Sequence, residues 1–292
     1  MEHKFGFIVH PLSLEDAYRT FRFMKGWPPG LVSRALRWLP PLKVSEITGI
    51  ESGYGRSSGY FISTNLTSRQ MLELPQQYVL QKIIKSGRLG QKLGARIIGL
   101  GAMTAVVGDG GITVARHLKT AVTTGNSFTV AAALEATREA AEIMGINLSQ
   151  AEVMILGATG SIGSACAQIL AREGVNYLTL VARDQPRLEN LALKILYDTG
   201  VSCKVTCQLK KAARRAEVIV AVSGSAESLL EPEDLLPGAV VCDVARPRDI
   251  SSRVARCRND VLVIEGGVIE VPGDVNFNFN FGFPPRLAYA CM

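Results

Sequence analysis

The chain has 292 residues, of which 47% are hydrophobic and 20% charged, with 28 Gly, 13 Pro and a net charge of +6. This is a globular composition, sufficient for one large or two medium domains, and it excludes a disordered or collagen-like chain. The longest apolar stretch of low charge, Ile97 to Val107, is broken by glycines and falls well short of the roughly twenty residues of a membrane-spanning helix, so no span is expected.

The N-terminus, beginning Met1-Glu2-His3-Lys4-Phe5, has neither a long apolar core nor a small-residue cleavage site, and the reading is a cytoplasmic protein. Up to about residue 120 the pattern is irregular, with Pro28-Pro29, Pro40-Pro41 and Gly53 to Gly59 marking turns. A helix is predicted at Gln77 to Lys85, basic on one face. Lys82, Lys85, Arg88, Lys92 and Arg96 could form a docking face for an acidic partner, with a solvated surface as the plainer reading. No aromatics are interleaved with these charges, so nucleic-acid binding is not expected. Asn126-Ser127 could cap an amphipathic helix with Val130, Ala133, Leu134, Thr137, Ala141 and Met144 on its small and apolar face, ended by Gly145.

From Val153 the pattern becomes regular. Val153 to Leu156 reads as a buried parallel strand, Gly157-Ala158-Thr159-Gly160-Ser161-Ile162-Gly163 as a turn, and the apolar positions Ile162, Cys166, Ile169 and Leu170 as the helix that follows. Further strands are predicted at Tyr177 to Ala182, Ser202 to Cys207, Val218 to Val222, Val240 to Asp243 and Val261 to Ile264. Strands alternating with helices at this spacing imply an α/β protein with a Rossmann-type, doubly wound parallel sheet, preceded by a separate N-terminal α/β domain. The expected boundaries are 1–125 for a substrate or partner domain, 126–265 for the cofactor domain, and 266–292 for a C-terminal segment returning to the active-site cleft.

A glycine string alone is weak, but between a strand and a helix it has a mechanism. The first glycine permits a tight turn, the second lets the backbone approach a pyrophosphate, and the third allows close helix packing, while the helix N-terminus supplies N–H groups. Gly157, Thr159, Gly160, Ser161, Ile162 and Gly163 are therefore the candidate phosphate loop; a purely structural turn is the alternative. After the second strand, where a reader of a ribose 2′-hydroxyl would be acidic, stands Arg183, followed by Asp184. A guanidinium there can pair with a 2′-phosphate, which favours NADP(H) over NAD; in the bland alternative Asp184 touches the ribose. Ser223, after a later strand, is a further cofactor candidate, since ligands bind at strand carboxyl ends; a tight loop is the competing reading.

Six cysteines in a chain of this length are no disulfide framework, and with no ligands at finger spacing no metal site is expected. Several segments together resemble the long-chain acyl-[acyl-carrier-protein] reductases. They are Phe5-Gly6-Phe7-Ile8-Val9-His10 with Ser13-Leu14-Glu15, Thr123-Thr124-Gly125-Asn126, Gly157 to Ser164, Gly266-Gly267-Val268, and Ala288-Tyr289-Ala290-Cys291-Met292. The resemblance implies NADPH-dependent reduction of a fatty acyl thioester, on acyl-carrier protein or as acyl-CoA, to a fatty aldehyde through a cysteine thioester. It assigns the nucleophile to Cys291; from the residues alone Cys291 would pass for a small buried hydrophobe. In that family the polypeptide continues past the cysteine into a helical region, whereas this sequence ends at Met292. A terminal carboxylate beside Cys291 would oppose thiolate formation, so a form truncated there is expected to be weak or inactive.

The stretch Asp243 to Ile250 is similar to one in glutamyl-tRNA reductases, which place their nucleophile near the N-terminus, where this chain has no cysteine before Cys166. Shikimate dehydrogenases share the two-domain layout, but no Asn-x-Thr-x-Pro segment with its lysine occurs in the first 120 residues. A non-catalytic NADP-binding protein is the remaining alternative.

Overall fold

A computed structural model describes residues 3–11, 13–20, 22–225, 227–280 and 283–292. The chain divides into two units, Met1–Gly125 with Ile269–Met292, and Asn126–Val268.

The first unit contains β1 (His3–Val9), α1 (Leu14–Thr20), α2 (Pro29–Trp38), β2 (Lys43–Ser52), β3 (Gly55–Ser63), α3 (Ser68–Glu73), α4 (Gln76–Lys92), β4 (Ile97–Leu100), α5 (Met103–Val106), α6 (Ile112–Arg116) and β5 (Ala121–Thr123). The region that looks irregular in sequence is thus a mixed sheet. β1 runs parallel to β3 and β4, β4 parallel to β5, and β2 folds back antiparallel on β3. The predicted helix at Gln77 to Lys85 extends to Lys92, because Val79, Ile83 and Ile84 bury one stripe against the sheet. The opposite stripe carries Lys85, Arg88 and Lys92, all exposed.

The second unit contains α7 (Asn126–Ile143), β6 (Glu152–Leu156), α8 (Ser161–Arg172), β7 (Tyr177–Val181), α9 (Gln185–Thr199), β8 (Lys204–Thr206), α10 (Leu209–Ala213), β9 (Val218–Ala221), β10 (Val240–Asp243), α11 (Ser252–Cys257) and β11 (Leu262–Ile264). Its sheet runs β11-β10-β9-β6-β7-β8 with every pair parallel, the doubly wound order expected from the sequence. Alternation along β6 explains the two layers. Val153 and Ile155 join a core with α7, α8 and α9, whereas Met154 and Leu156 join the opposite core with α10 and α11. Burial on both faces is why these strands read as continuous apolar runs. Asn126 does not cap α7 from outside, as the sequence suggested; it is the first helical residue, and its side chain is used elsewhere.

β12 (Val268–Glu270), β13 (Gly273–Asn276) and β14 (Leu287–Tyr289) follow. β13 adds antiparallel to β2 and so extends the first unit's sheet, while β12 pairs with β14. Among the described residues no helix is long and apolar enough to cross a membrane.

Candidate functional site

In the second unit the strand order reverses between β6 and β9, so the loops after these two strands diverge and leave a crevice at their carboxyl ends. The loop after β6 is shaped by three glycines, each for a different reason. Gly157 has φ +82°, and a Cβ there would lie 2.8 Å from the Val222 carbonyl oxygen after β9. A Cβ on Gly163 would lie 2.4 Å from the Gly157 carbonyl oxygen, so α8 packs on the loop only without a side chain. Gly160 differs: its φ is −76°, and a Cβ would meet nothing but the Gly157 oxygen at 3.2 Å. The space beside Gly160 is therefore open to a ligand rather than filled by protein.

Gly160 begins α8 without a side-chain cap. The Ser164 N–H closes on the Gly160 carbonyl at 2.9 Å, so the N–H groups ahead of it in the first turn have no helical acceptor and point, with the positive end of the helix dipole, at the crevice. Ser161 is exposed on this turn, and its Oγ accepts from the Asn126 Nδ2 at 2.8 Å, which ties α7 to the loop. The Arg187 guanidinium donates to the Thr159 carbonyl at 3.0 Å. Ile162 packs its side chain against the core and contributes to the loop through its backbone.

At the end of β7, Arg183 is exposed and Asp184 is committed: its carboxylate caps α9 by accepting the Arg187 N–H at 3.1 Å. That bond favours Arg183 over Asp184 as the residue facing a ribose. Ser223 is also committed. Its Oγ donates to Asp249 and accepts the Ser225 N–H, and its own N–H donates to Asp249 at 2.9 Å. Its hydroxyl therefore shapes the loop after β9, a use not visible in sequence because Asp249 lies 26 residues on. Burial pushes the Asp249 carboxyl above the ordinary carboxylate range, as it does Asp243, which accepts the Ala245 and Ile250 N–H groups.

An open N–H turn, a glycine with space beside it and the exposed guanidinium of Arg183 are the features that a pyrophosphate and a 2′-phosphate would require. We expect Arg183→Ala to weaken NADPH binding about 10- to 100-fold, the worth of a charge-assisted hydrogen bond, and to leave NADH binding nearly unchanged. Titration of both nucleotides checks this, and an equal loss for both would remove Arg183 from the 2′-phosphate.

In the first unit, the segment after β14 brings Cys291 onto the cluster of Phe7, Ile47, Phe61 and Val275, where Phe277 and Met292 also pack. Cys291 is half-buried, and the Met292 N–H closes a turn on the Tyr289 carbonyl at 3.0 Å. Gly125, just after β5, has φ +71°, and a Cβ there would fall within 2.3 to 2.7 Å of the Cys291 backbone. The close approach requires glycine at that position. None of the six cysteines is in a disulfide.

Sequence reasoning gave no role to two buried polar groups at strand ends of this unit. His10, after β1, accepts the Met103 N–H at Nε2 (3.2 Å), which leaves Nδ1 to donate to the Pro11 carbonyl at 3.1 Å. Asn65, after β3 and 2% exposed, donates to the Pro40 carbonyl, while its Oδ1 has no partner among the described residues. Burial lowers the His10 pKa below the ordinary histidine value. A histidine whose folded pKa is depressed contributes its stability above the unfolded pKa near 6.5 and loses it as pH falls below that value. The melting temperature should therefore decline between pH 7 and 5.5 in the wild type and less steeply in His10→Gln, whose amide oxygen can still accept from Met103.

The family model described as shikimate / quinate 5-dehydrogenase matches residues 138–265, within the second unit. The chain is 28% identical over 304 aligned residues to the long-chain acyl-[acyl-carrier-protein] reductase of Synechococcus elongatus, covering 99% of this chain and 86% of that protein. It is 35% identical over 179 residues to the aminotransferase PigE of a Serratia species, covering 60% of this chain but 20% of that protein. It is 32% identical over 106 residues to the glutamyl-tRNA reductase of Corynebacterium efficiens, covering 35% of this chain and 22% of that protein. The resemblance to long-chain acyl-[acyl-carrier-protein] reductases seen in scattered motifs thus extends along the whole chain. The chain is a nicotinamide-dependent oxidoreductase, and the cofactor expectation of NADP(H) agrees with these matches.

Proposed function

We propose that this relative of the long-chain acyl-[acyl-carrier-protein] reductases reduces a fatty acyl thioester to a fatty aldehyde, with Cys291 as acyl acceptor. The observation that carries the reading is the setting of Cys291: a half-buried thiol among Phe7, Phe61, Val275 and Phe277, its backbone seated against Gly125. Phe7, Phe61 and Val275 are themselves buried, so they form an apolar wall behind the half-buried thiol, and in this reading the acyl chain lies along the open side of Cys291.

The chemistry balances in two transfers. The Cys291 thiolate attacks the acyl carbonyl, the bond to Sγ forms, the bond to the carrier's sulfur breaks, and the carrier thiol leaves with a proton. NADPH, when bound, supplies a hydride equivalent, and the reduced carbon separates from Sγ as aldehyde, with NADP+ as the oxidised product. In this reading Gly157, Gly160 and Gly163 shape the pyrophosphate cradle, the first turn of α8 with Ser161 donates to it, Thr159 and Ile162 hold the loop, and Arg183 takes the 2′-phosphate. The second unit is then the cofactor domain, and the first, with the returning segment 269–292, the acyl domain.

A single-turnover incubation with radiolabelled acyl-carrier protein tests this. Label should be trapped on the protein as a hydroxylamine-labile thioester and released as aldehyde on adding NADPH. NADPH binding without trapping or oxidation would make the chain a non-catalytic nucleotide-binding protein.

The carrier is acidic in this proposal, and the exposed stripe of α4 is its docking face. No acidic residue occurs in α4, and Lys119, exposed and with its backbone N 2.8 Å from the Gln91 side-chain amide, extends the basic surface. Reversing Lys85 and Lys92 to glutamate should raise KM for carrier-bound substrate about tenfold at low salt, with no change for a short neutral thioester. Equal effects on both substrates would sink the docking face.

A further inference from the structure

The charge of the first unit is not evenly spread. Residues 17–45 contain Arg19, Arg22, Lys25, Arg34, Arg37 and Lys43 and no acidic residue. The same stretch holds both tryptophans of the chain, Trp27 and Trp38. A soluble protein ordinarily buries such side chains at least on one face. Here Trp38 is 87% exposed, Phe23 64%, Leu31 51% and Trp27 40%.

The exposure follows from how α2 packs. Val32 and Leu36, one turn apart, form its buried stripe, with Met24 completing a small core of its own. Leu31 and Trp38 lie seven residues apart, two turns along, and so share the face turned away from that stripe. Arg34 stands between them on the helix and Lys25 on the connection before it, both exposed. Phe23 and Trp27 meet edge to face with ring centroids 6.2 Å apart, which holds the connection's aromatics together.

We infer that this face docks on an anionic lipid surface, with Trp38, Leu31 and the Phe23–Trp27 pair entering the headgroup boundary and Lys25 and Arg34 facing acidic headgroups. Three properties select a bilayer over other occupants. The tryptophans are amphipathic rings of the kind that settle at membrane interfaces. The exposed cations Lys25 and Arg34 among these apolar side chains complement an anionic plane. That charge opposes a second copy of the same face, which would bring Lys25 and Arg34 against their own copies. No membrane span is involved, since α2 is far too short for one.

Because both tryptophans lie in this face, intrinsic tryptophan emission reports on it alone. The test uses the full chain with extruded vesicles of phosphatidylcholine, with and without about one quarter phosphatidylglycerol, by co-sedimentation and emission. Binding to the anionic vesicles with a blue shift is expected, weakened at least about tenfold by Trp38→Glu and by raising the salt to about 0.5 M. Lys85→Glu on α4 should leave the partitioning unchanged, with circular dichroism confirming that both variants fold.

Failure to bind anionic vesicles at low salt would overturn the inference. So would binding that Trp38→Glu does not weaken. A concentration-dependent dimer broken by Trp38→Glu, without lipid binding, would assign the face to self-association instead. None of these outcomes depends on acyl reduction, so the inference stands or falls apart from the proposed activity.

Discussion

Replacing Cys291 with serine is expected to abolish covalent capture of the acyl group and to lower aldehyde formation about a thousandfold or more. Serine is nearly isosteric, and Cys291 is only half-buried, so folding should be retained. The hydroxyl has far too high a pKa to supply an anion at neutral pH, and its oxygen ester would resist hydride more than a thioester. NADPH affinity should be unchanged, because every residue assigned to the cofactor lies in the second unit. No other buried thiol can stand in. Burial pushes Cys166 up to about 12, and Cys203 and Cys242 up to about 11, so all three are neutral thiols at pH 7. Cys242 is further enclosed, its Sγ donating to the Ala133 carbonyl at 3.5 Å. Cys166→Ser and Cys242→Ser should therefore trap acyl label as the wild type does. Label that persists on Cys291→Ser would displace the nucleophile from this position.

What seats Cys291 is Gly125, far from it in sequence. The resemblance named both Thr123 to Asn126 and Ala288 to Met292, but nothing in either segment says that the first holds the second. The structure supplies the reason within the first unit, since Gly125 at φ +71° leaves just enough room for the Cys291 backbone. Such a contact joins residues 166 positions apart, and no local pattern encodes it. The same limit explains the first 120 residues. β2 alternates only loosely, with Ser45 and Ile47 buried, and it is held by β3 on one side and by β13, more than 200 residues away, on the other. Periodicity could not find a strand whose partner lies at the far end of the chain. The second unit was legible for the opposite reason. Its strands are buried on both faces, so apolar runs, glycine turns and helices repeat at short range, and the apolar run Val240 to Asp243 coincides with β10. Within that readable frame, side-chain commitments were not readable. Asn126 turns to Ser161 rather than capping α7, and Ser223 turns to Asp249.

The glycines of the phosphate loop separate folding from binding, and two alanine substitutions three residues apart should behave differently. At Gly163 the added Cβ meets only backbone: the Gly157 oxygen at 2.4 Å, its carbonyl carbon at 2.9 Å and the Ala158 Cα at 3.0 Å. No side chain can swing aside, so α8 must move off the loop, at a cost of about 3 kcal/mol in a well-packed core. Gly163→Ala should lower the melting temperature by several degrees and disturb the α8 turn that binds phosphate. At Gly160 the only neighbour is one oxygen at 3.2 Å, and φ −76° with ψ 166° is open to any residue. Gly160→Ala should therefore fold with nearly wild-type stability. Its methyl nevertheless occupies the space through which a pyrophosphate approaches the backbone, and NADPH affinity should fall about 100-fold, since each phosphate hydrogen bond lost or lengthened is worth 1.5–3 kcal/mol. Calorimetric melting beside nucleotide titration reads both quantities. A Gly160→Ala protein that melts and binds like the wild type would mean that no pyrophosphate lies against this glycine. The loop would then be a structural turn, and the cofactor would have to be held elsewhere along the carboxyl ends of β6 and β9.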